Sequence, residues 1–350
     1  MLQSSYLVVG GGDSGLGTAV YLSSQGKQVD LFSRRYSSIS ETKIIHSTGA
    51  VVPGDYPIAI CSDRIEEIAE VHGSKLPNNI VICARGQDID SYANILGKYL
   101  TSESNILLIC SSRFSGRVFG NILRKKFGFT EATLPAIADV NNSPFASRGN
   151  GNDRVSINKL KNQFKLAAQT PEMTERIAAT YQDTFPTLRS LSSSLEVNLD
   201  KTNDVFHVPL IMASLSRWEL GESYNIYRSI GPRTADLIGE FDRDRLAIAK
   251  ALGFPHLSTM YDYFKTAYGT QGPSFYEHIY QIKALDNAAV KNLHHRYLSE
   301  EIPFGAFPLQ ALARLVGVET PFIDACITLG SKFVDEPLTW TAEFLELKLL

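Results

Sequence analysis

Short apolar runs recur through the first half of the chain: Tyr6–Val9, Val29–Phe32, Ile58–Ile60, Ile80–Cys83 and Ile106–Cys110. Stretches with helical spacing lie between several of them, at Asp63–His72, Ile89–Tyr99 and Arg117–Phe127. Continuous apolar strands separated by helices predict a parallel sheet covered on both faces. Weaker strand-like pieces follow at Val155–Ile157 and Leu195–Asn198, with a linking helix at Pro171–Phe185. The second half changes character. Gly231-Pro232 opens a long amphipathic stretch in which Ile238, Phe241, Ile248 and Leu252 share one face. Pro232 suits the first helical position and Gly253 the residue just past the end. Further helices are predicted at Ser258–Tyr268, Pro308–Val316 and Pro321–Leu329, the last with Thr320 as N-cap. The expected architecture is α/β: a parallel-sheet domain over residues 1–200, then a mostly α-helical domain over residues 201–350.

The junction of the first strand and first helix reads Gly10-Gly-Gly12-Asp-Ser-Gly15, a G-x-G-x-x-G spacing between elements of the right kind. Gly10 permits the sharp turn, Gly12 has no Cβ to block a pyrophosphate, and Gly15 lets helix and strand pack closely. The free N–H groups of the helix then face the phosphates. This makes the first domain Rossmann-type and predicts a dinucleotide cofactor. The end of the second strand selects which one. An NAD site usually carries Asp or Glu there to bind the ribose 2′-OH. This chain reads Ser33-Arg34-Arg35 instead, and Asp30 stands two residues too early. Guanidinium groups grip a 2′-phosphate that a carboxylate would repel. NADPH is the expected cofactor, with NADH as the alternative.

Composition narrows the partners. The 350 residues are 44% hydrophobic and 20% charged with a net charge of −3, ordinary for a soluble globular protein. No global field calls for nucleic acid or an anionic membrane, and no run approaches the length of a membrane span. Cys61, Cys83, Cys110 and Cys326 are far apart and form no metal-ligand pair, so no metal is expected and the cytoplasm is the expected compartment. A homodimer is left open.

Two polar segments in the second domain are dense enough to need pairing or use. One is Asn203-Asp-Val-Phe-His207-Val-Pro209; the other is His294-His-Arg296-Tyr-Leu-Ser-Glu300-Glu301-Ile-Pro303-Phe-Gly305. At these residues the chain resembles the octopine/nopaline dehydrogenase family of opine dehydrogenases. Glu240-Phe-Asp-Arg-Asp-Arg245, Leu315-Val-Gly-Val-Glu-Thr-Pro321 and Ser143-Pro-Phe-Ala-Ser-Arg148 extend the resemblance.

The resemblance implies reductive condensation of an amino acid with a 2-oxo acid, such as pyruvate or 2-oxoglutarate, through an imine reduced by NAD(P)H. It also implies a histidine paired with an acidic residue as acid–base catalyst. The histidine falls on His207 and the acid on Glu301, where Asp is more usual; Glu300 is the neighbouring alternative. Arg296 matches the family arginine and suits a substrate carboxylate. Imine formation must deprotonate an ammonium and protonate a departing hydroxyl, work for a histidine near neutral pH. Asn203 is expected to orient His207 or the nicotinamide and to contact substrate, and His294 and His295 read as structural. Arg85 and Arg113, at strand C-terminal ends, are candidate cofactor or substrate contacts. Two other readings compete: a 2-oxo acid reductase making hydroxy acids, which would ordinarily rely on a lysine, and a non-catalytic NADPH-binding sensor.

Overall fold

A computed structural model of the chain describes residues 5–34, 37–109, 112–149, 152–286, 289–290 and 295–334. It divides into two compact units, one running to residue 197 and a second from residue 198 onward, which also takes in the short stretch at Arg113.

The first unit begins strand–helix–strand: β1 (Ser5–Val9), α1 (Asp13–Ser24) and β2 (Gln28–Phe32). A short helix α2 (Ser37–Thr42) leads to a hairpin of β3 (Ile44–Thr48) and β4 (Gly54–Pro57). Alternation then resumes through β5 (Ile60–Ser62), α3 (Ile65–Val71), β6 (Asn79–Ile82), α4 (Ile89–Leu96), β7 (Asn105–Leu108), α5 (Ser115–Phe127) and β8 (Ala136–Val140). A second hairpin, β9 (Phe145–Gly149) and β10 (Arg154–Leu160), precedes β11 (Phe164–Ala168), α6 (Pro171–Tyr181), β12 (Leu188–Ser190) and α7 (Ser194–Leu199).

The main sheet has the order β12-β11-β8-β7-β6-β1-β2-β5 and is parallel except where β11 runs antiparallel to β8. Side chains of β1 alternate between two cores. Tyr6 and Val8 pack with Leu16, Ala19 and Val20 of α1, while Leu7 and Val9 pack with Ile68, Tyr92 and Leu96. Burial on both faces is why β1 reads as an uninterrupted apolar run. A smaller sheet, β4-β3-β10-β9, covers the outer side of α1, whose core it joins through Ile45, Val155 and Ile157. That cover buries α1 nearly all round.

Two sequence expectations shift. The strand expected at Ile58–Ile60 forms at β5, two residues later. The strand expected at Leu195–Asn198 is instead helix α7. Its entry explains the change: Ser193 Oγ accepts the Glu196 N–H at 3.2 Å, and Glu196 reaches back to the Ser192 N–H at 2.8 Å. Such reciprocal capping fixes a helix start regardless of strand-like composition.

The second unit is helical: α8 (Asn203–Met212), α9 (Leu215–Glu219), α10 (Pro232–Ala251), α11 (Met260–Tyr268), α12 (Phe275–Gln281), α13 (Arg296–Ser299), α14 (Phe307–Val316) and α15 (Pro321–Gly330). One short strand pair, β13 (Tyr224–Asn225) with β14 (Ala289–Val290), interrupts them. The α10 segment Asp242-Arg-Asp-Arg245 turns out to be a framework. Asp242 accepts the Met260 N–H that starts α11 at 2.6 Å, and Asp244 accepts the Phe322 and Ile323 N–H groups at 2.9 and 3.0 Å. Arg245 is fully buried and donates to Leu199 O and Ser258 O at 2.8 and 2.7 Å. Carboxylates at these helix starts satisfy orphan donors and meet the positive dipole end. No helix among the described residues is long and apolar enough to cross a membrane.

Candidate active site

Each unit carries one set of candidate residues. In the first, Gly10 adopts φ +110°, and a Cβ there would lie 2.2 Å from the Cys83 carbonyl oxygen. At Gly15 a Cβ would lie 1.8 Å from the Gly10 oxygen. Neither position has room for a side chain, because helix, turn and strand are in backbone contact. Gly12, the residue preceding α1, is the opposite case: a Cβ there would meet nothing within 4 Å. The space over the helix N-terminus is open where a pyrophosphate would lie, so the residues present fit a dinucleotide.

At the end of β2, Ser33 is buried and its N–H donates to Ser62 O at 2.9 Å. Arg34 is exposed, with Nη2 3.4 Å from Asp88 Oδ1, and Arg85 Nε approaches the other Asp88 oxygen at 3.5 Å. Arg35 lies outside the described residues. Asp30 is wholly buried and engaged by His72 Nε2 at 2.7 Å, which removes it as a ribose partner. Burial raises the Asp30 pKa, and the His72 contact opposes that rise.

In the second unit, His207 sits on α8, four residues and one helical turn after the half-buried Asn203, on the same face. Its Nδ1 lies 2.9 and 2.8 Å from the two carboxyl oxygens of Glu301. The extra methylene of Glu, relative to the Asp that the resemblance leads one to expect, is accommodated without loss of the contact. Glu301, rather than Glu300, is the partner. Tyr297 stacks on the imidazole with centroids 3.8 Å apart, and Tyr227 Oη meets Nε2 at 2.9 Å. Arg296 keeps 38% of its side chain exposed and lies within ion-pair distance of Glu300 and Glu301, at 3.5 and 3.6 Å. Burial works against its charge, but Glu301, Tyr297 and Glu300 more than offset that and raise its pKa.

The backbone explains how the pair meets. Glu301 precedes a π-helical turn, Ile302–Ala306, that packs on the first turn of α8. A Cβ on Gly305 would lie 2.6 Å from the Asp204 Cβ, so only glycine permits that approach. Arg113 bolts the two together. Its N–H donates to Phe304 O at 2.9 Å, while Nε and Nη2 clamp Asp204 at 2.9 and 2.7 Å. Its Nη2 also reaches Lys201 O at 3.0 Å, and Nη1 bonds Asn198 O. The expectation that Arg113 contacts a ligand is therefore corrected: its guanidinium is buried and fully committed to the fold. Burial lowers its pKa, with Asp204 acting against that.

Residues 190–334 match the model of the NAD/NADP octopine/nopaline dehydrogenase alpha-helical domain. The helical unit is similar to that family's alpha-helical domain. The chain is also 26% identical to an opine dehydrogenase of Arthrobacter sp. over 342 residues, 96% of this chain and 92% of that one. Octopine dehydrogenase, solved with NADH and L-arginine, superposes with a TM-score of 0.74 at 16% identity, covering 97% of this chain and 93% of that one. Yersinopine dehydrogenase with NADP+ bound gives 0.67 at 13% identity, covering 95% and 91%.

Within this helical unit, His295 caps α13, accepting the Tyr297 N–H at 3.4 Å. His294 lies outside the described residues. Sequence reasoning missed Asp204, Tyr227 and Tyr297. Tyr297 stands inside the family-like run, whereas Tyr227 opens a single 3₁₀ turn, Tyr227–Ser229, with no sequence signal around it.

Burial pushes the Glu301 carboxyl up from near 4.5 to about 8; Arg296 opposes the rise and Asp204 adds to it. Between those pH values the folded chain holds a proton that the unfolded chain has released, so this group makes stability fall as pH rises. Glu301→Gln is expected to flatten that decline. Urea midpoints at pH 5, 6.5 and 8 check it, and parallel curves for the two proteins would refute the assignment.

Proposed function

We propose that the chain is an NADPH-dependent opine dehydrogenase that joins an amino acid to a 2-oxo acid and reduces the resulting imine. The observation that carries this reading is the buried His207–Glu301 pair beside the partly exposed Arg296 guanidinium, in the unit that matches the octopine/nopaline dehydrogenase alpha-helical domain. Gly12 would face the pyrophosphate in the turn that Gly10 and Gly15 shape, and Ser33, Arg34 and Arg35 are the residues that would meet the adenosine ribose and its 2′-phosphate. Bound NADPH supplies the hydride that reduces the imine carbon. The relatives' ligands are consistent with a nicotinamide cofactor. The free thiols of Cys61 and Cys326 suit a cytoplasmic setting.

The chain's own groups handle protons and carboxylates. His207 takes a proton from the substrate ammonium, leaving an amine that attacks the carbonyl carbon. The resulting alkoxide takes one proton from the new ammonium nitrogen to become a hydroxyl; the proton held by His207 then goes to that hydroxyl, which departs as water and leaves the iminium. Glu301 holds Nδ1 and fixes the ring's orientation, so that Nε2 is the exchanging nitrogen. A proton on the buried pair is shared along the Nδ1–Oε contact, which suits a group that must both give and take near neutral pH. Arg296 pairs with a substrate carboxylate, and Asn203 orients substrate on the same helix face as His207.

The test is cofactor oxidation across a grid of amino acids and 2-oxo acids, each oxo acid also alone, with NADPH and NADH in parallel. Turnover that needs both partners is expected. Turnover with an oxo acid alone would make the chain a hydroxy-acid dehydrogenase, and tight NADPH binding with no turnover would make it a sensor. Arg34→Ala is expected to raise the KM for NADPH about tenfold while leaving that for NADH within about twofold; equal effects on both would remove the 2′-phosphate assignment.

A further inference from the structure

His207 carries a feature that simple acid–base pairing does not require. Nδ1 is held by Glu301, and Nε2 meets a tyrosine hydroxyl, Tyr227 Oη, at 2.9 Å. Tyr227 Oη is in turn hydrogen-bonded to Tyr297 Oη. His207, Glu301, Tyr227 and Tyr297 are 7%, 2%, 2% and 4% exposed. The nitrogen through which the pair must exchange protons therefore opens onto two linked hydroxyls.

We propose that Tyr227 and Tyr297 form a proton relay that charges and discharges His207. A tyrosine hydroxyl both donates and accepts, so the chain has two self-consistent states. In the protonated state, Nε2–H donates to Tyr227 Oη, whose O–H donates to Tyr297 Oη. After discharge, Tyr227 O–H donates to the bare Nε2 and Tyr297 O–H donates to Tyr227 Oη. Passing between them moves one proton along the line: the Tyr297 and Tyr227 O–H bonds and the Nε2–H bond exchange in concert. No atom is oxidised or reduced, and each oxygen keeps one hydrogen once a proton from outside replaces that of Tyr297.

The need for the relay rests on the opine dehydrogenase reading, although its geometry does not. Ammonium, ketone, hydride and one further proton give a protonated secondary amine and water, so each turnover draws one proton from solution. His207 recycles the proton it takes from the ammonium, but the additional one must reach a site from which most water is excluded. Hydroxyl chains supply such paths because each link needs only rotation, not diffusion of an ion through a medium that disfavours charge.

Phenylalanine variants isolate the hydroxyls. Tyr227 stacks on Phe206 at 5.3 Å with ring planes 7° apart, and Tyr297 stacks on His207 with planes 14° apart, contacts that Phe retains. Tyr297→Phe is the decisive variant, because its hydroxyl bonds Tyr227 rather than the imidazole. In the full-length enzyme, both Y227F and Y297F are expected to lower kcat about tenfold, with the KM values for amino acid and oxo acid within about twofold. The wild-type rate in mixed H2O and D2O should curve as several protons move together, and that curvature should vanish in Y297F.

A second readout needs no turnover. In the ¹⁵N-histidine-labelled chain, with His207 assigned by H207N, the Nε2 resonance should move in Y227F and also in Y297F. Wild-type kcat and an unmoved Nε2 resonance in Y297F would overturn the relay and leave Tyr227 as a positioning residue. If no amine and oxo-acid pair is turned over, the opine reading fails by itself, and the Nε2 response alone decides the relay.

Discussion

His207→Ala is expected to lower kcat roughly 10²–10⁴-fold, the range for loss of a positioned acid–base group. The imidazole is the group on this helix face able to take and return a proton near neutral pH, and Glu301 already holds its other nitrogen at 2.8 Å. The effect should fall on kcat far more than on KM, because Arg296 and Asn203, which bind carboxylate and amine in this reading, remain in place. Removing the ring also leaves Glu301 buried beside Arg296 without its histidine. His207→Asn, which refills part of the volume with polar atoms, should therefore show the same kcat loss with a native melting temperature. Cofactor affinity, which the proposed site places in the first unit, should be unchanged in both. A loss of less than about tenfold in either well-folded variant would remove His207 as the catalyst.

Arg113→Ala is expected to cost the helical unit about 3–5 kcal/mol, the penalty for stranding one member of a buried ion pair. Against a typical total of about 5–15 kcal/mol, that is a large share. Asp204 is 1% exposed and would lose both clamping bonds, while the Asn198 and Lys201 carbonyls would lose their donors. The double variant Arg113→Met with Asp204→Leu should recover part of this loss, since exchanging a whole buried pair costs less than breaking it. Recovery should be incomplete, because the two carbonyls stay without the guanidinium. Denaturant unfolding of the single and double variants checks both statements. A loss under about 1 kcal/mol in the single variant would mean that Asp204 finds water. Activity should fall with stability, since the same guanidinium ties α8 to the turn that follows Glu301.

Much of this was legible in the residues. The G-x-G-x-x-G spacing dictated the first turn because a Cβ on Gly10 or Gly15 would lie 2.2 or 1.8 Å from a backbone oxygen, a constraint that only glycine meets. The helices opened by Pro232 and Pro321 began where proline's fixed φ and missing N–H are tolerated. Those signals are local, and local sterics act the same way in any fold. The strand pattern at Leu195–Asn198 misled because apolar alternation over a few residues is weak beside a capping serine and glutamate. The small sheet over α1 was largely invisible, since its strands are short and partly exposed and its two hairpins are joined only through β3 and β10, about a hundred residues apart.

What the sequence determined by itself is therefore the set of elements with sharp local boundaries, the dinucleotide turn and the identity of the two polar segments. Which member of each segment meets which was a tertiary outcome. His207 and Glu301 are 94 residues apart, and they touch because Gly305 lets a π-helical turn approach α8 and Arg113 fastens it there. Arg113 had the charge of a ligand-binding residue, and only its burial against Asp204 assigned it to the framework. Tyr227 carried no pattern at all. Its role was set when folding placed one hydroxyl within 2.9 Å of a nitrogen, a distance no periodicity encodes.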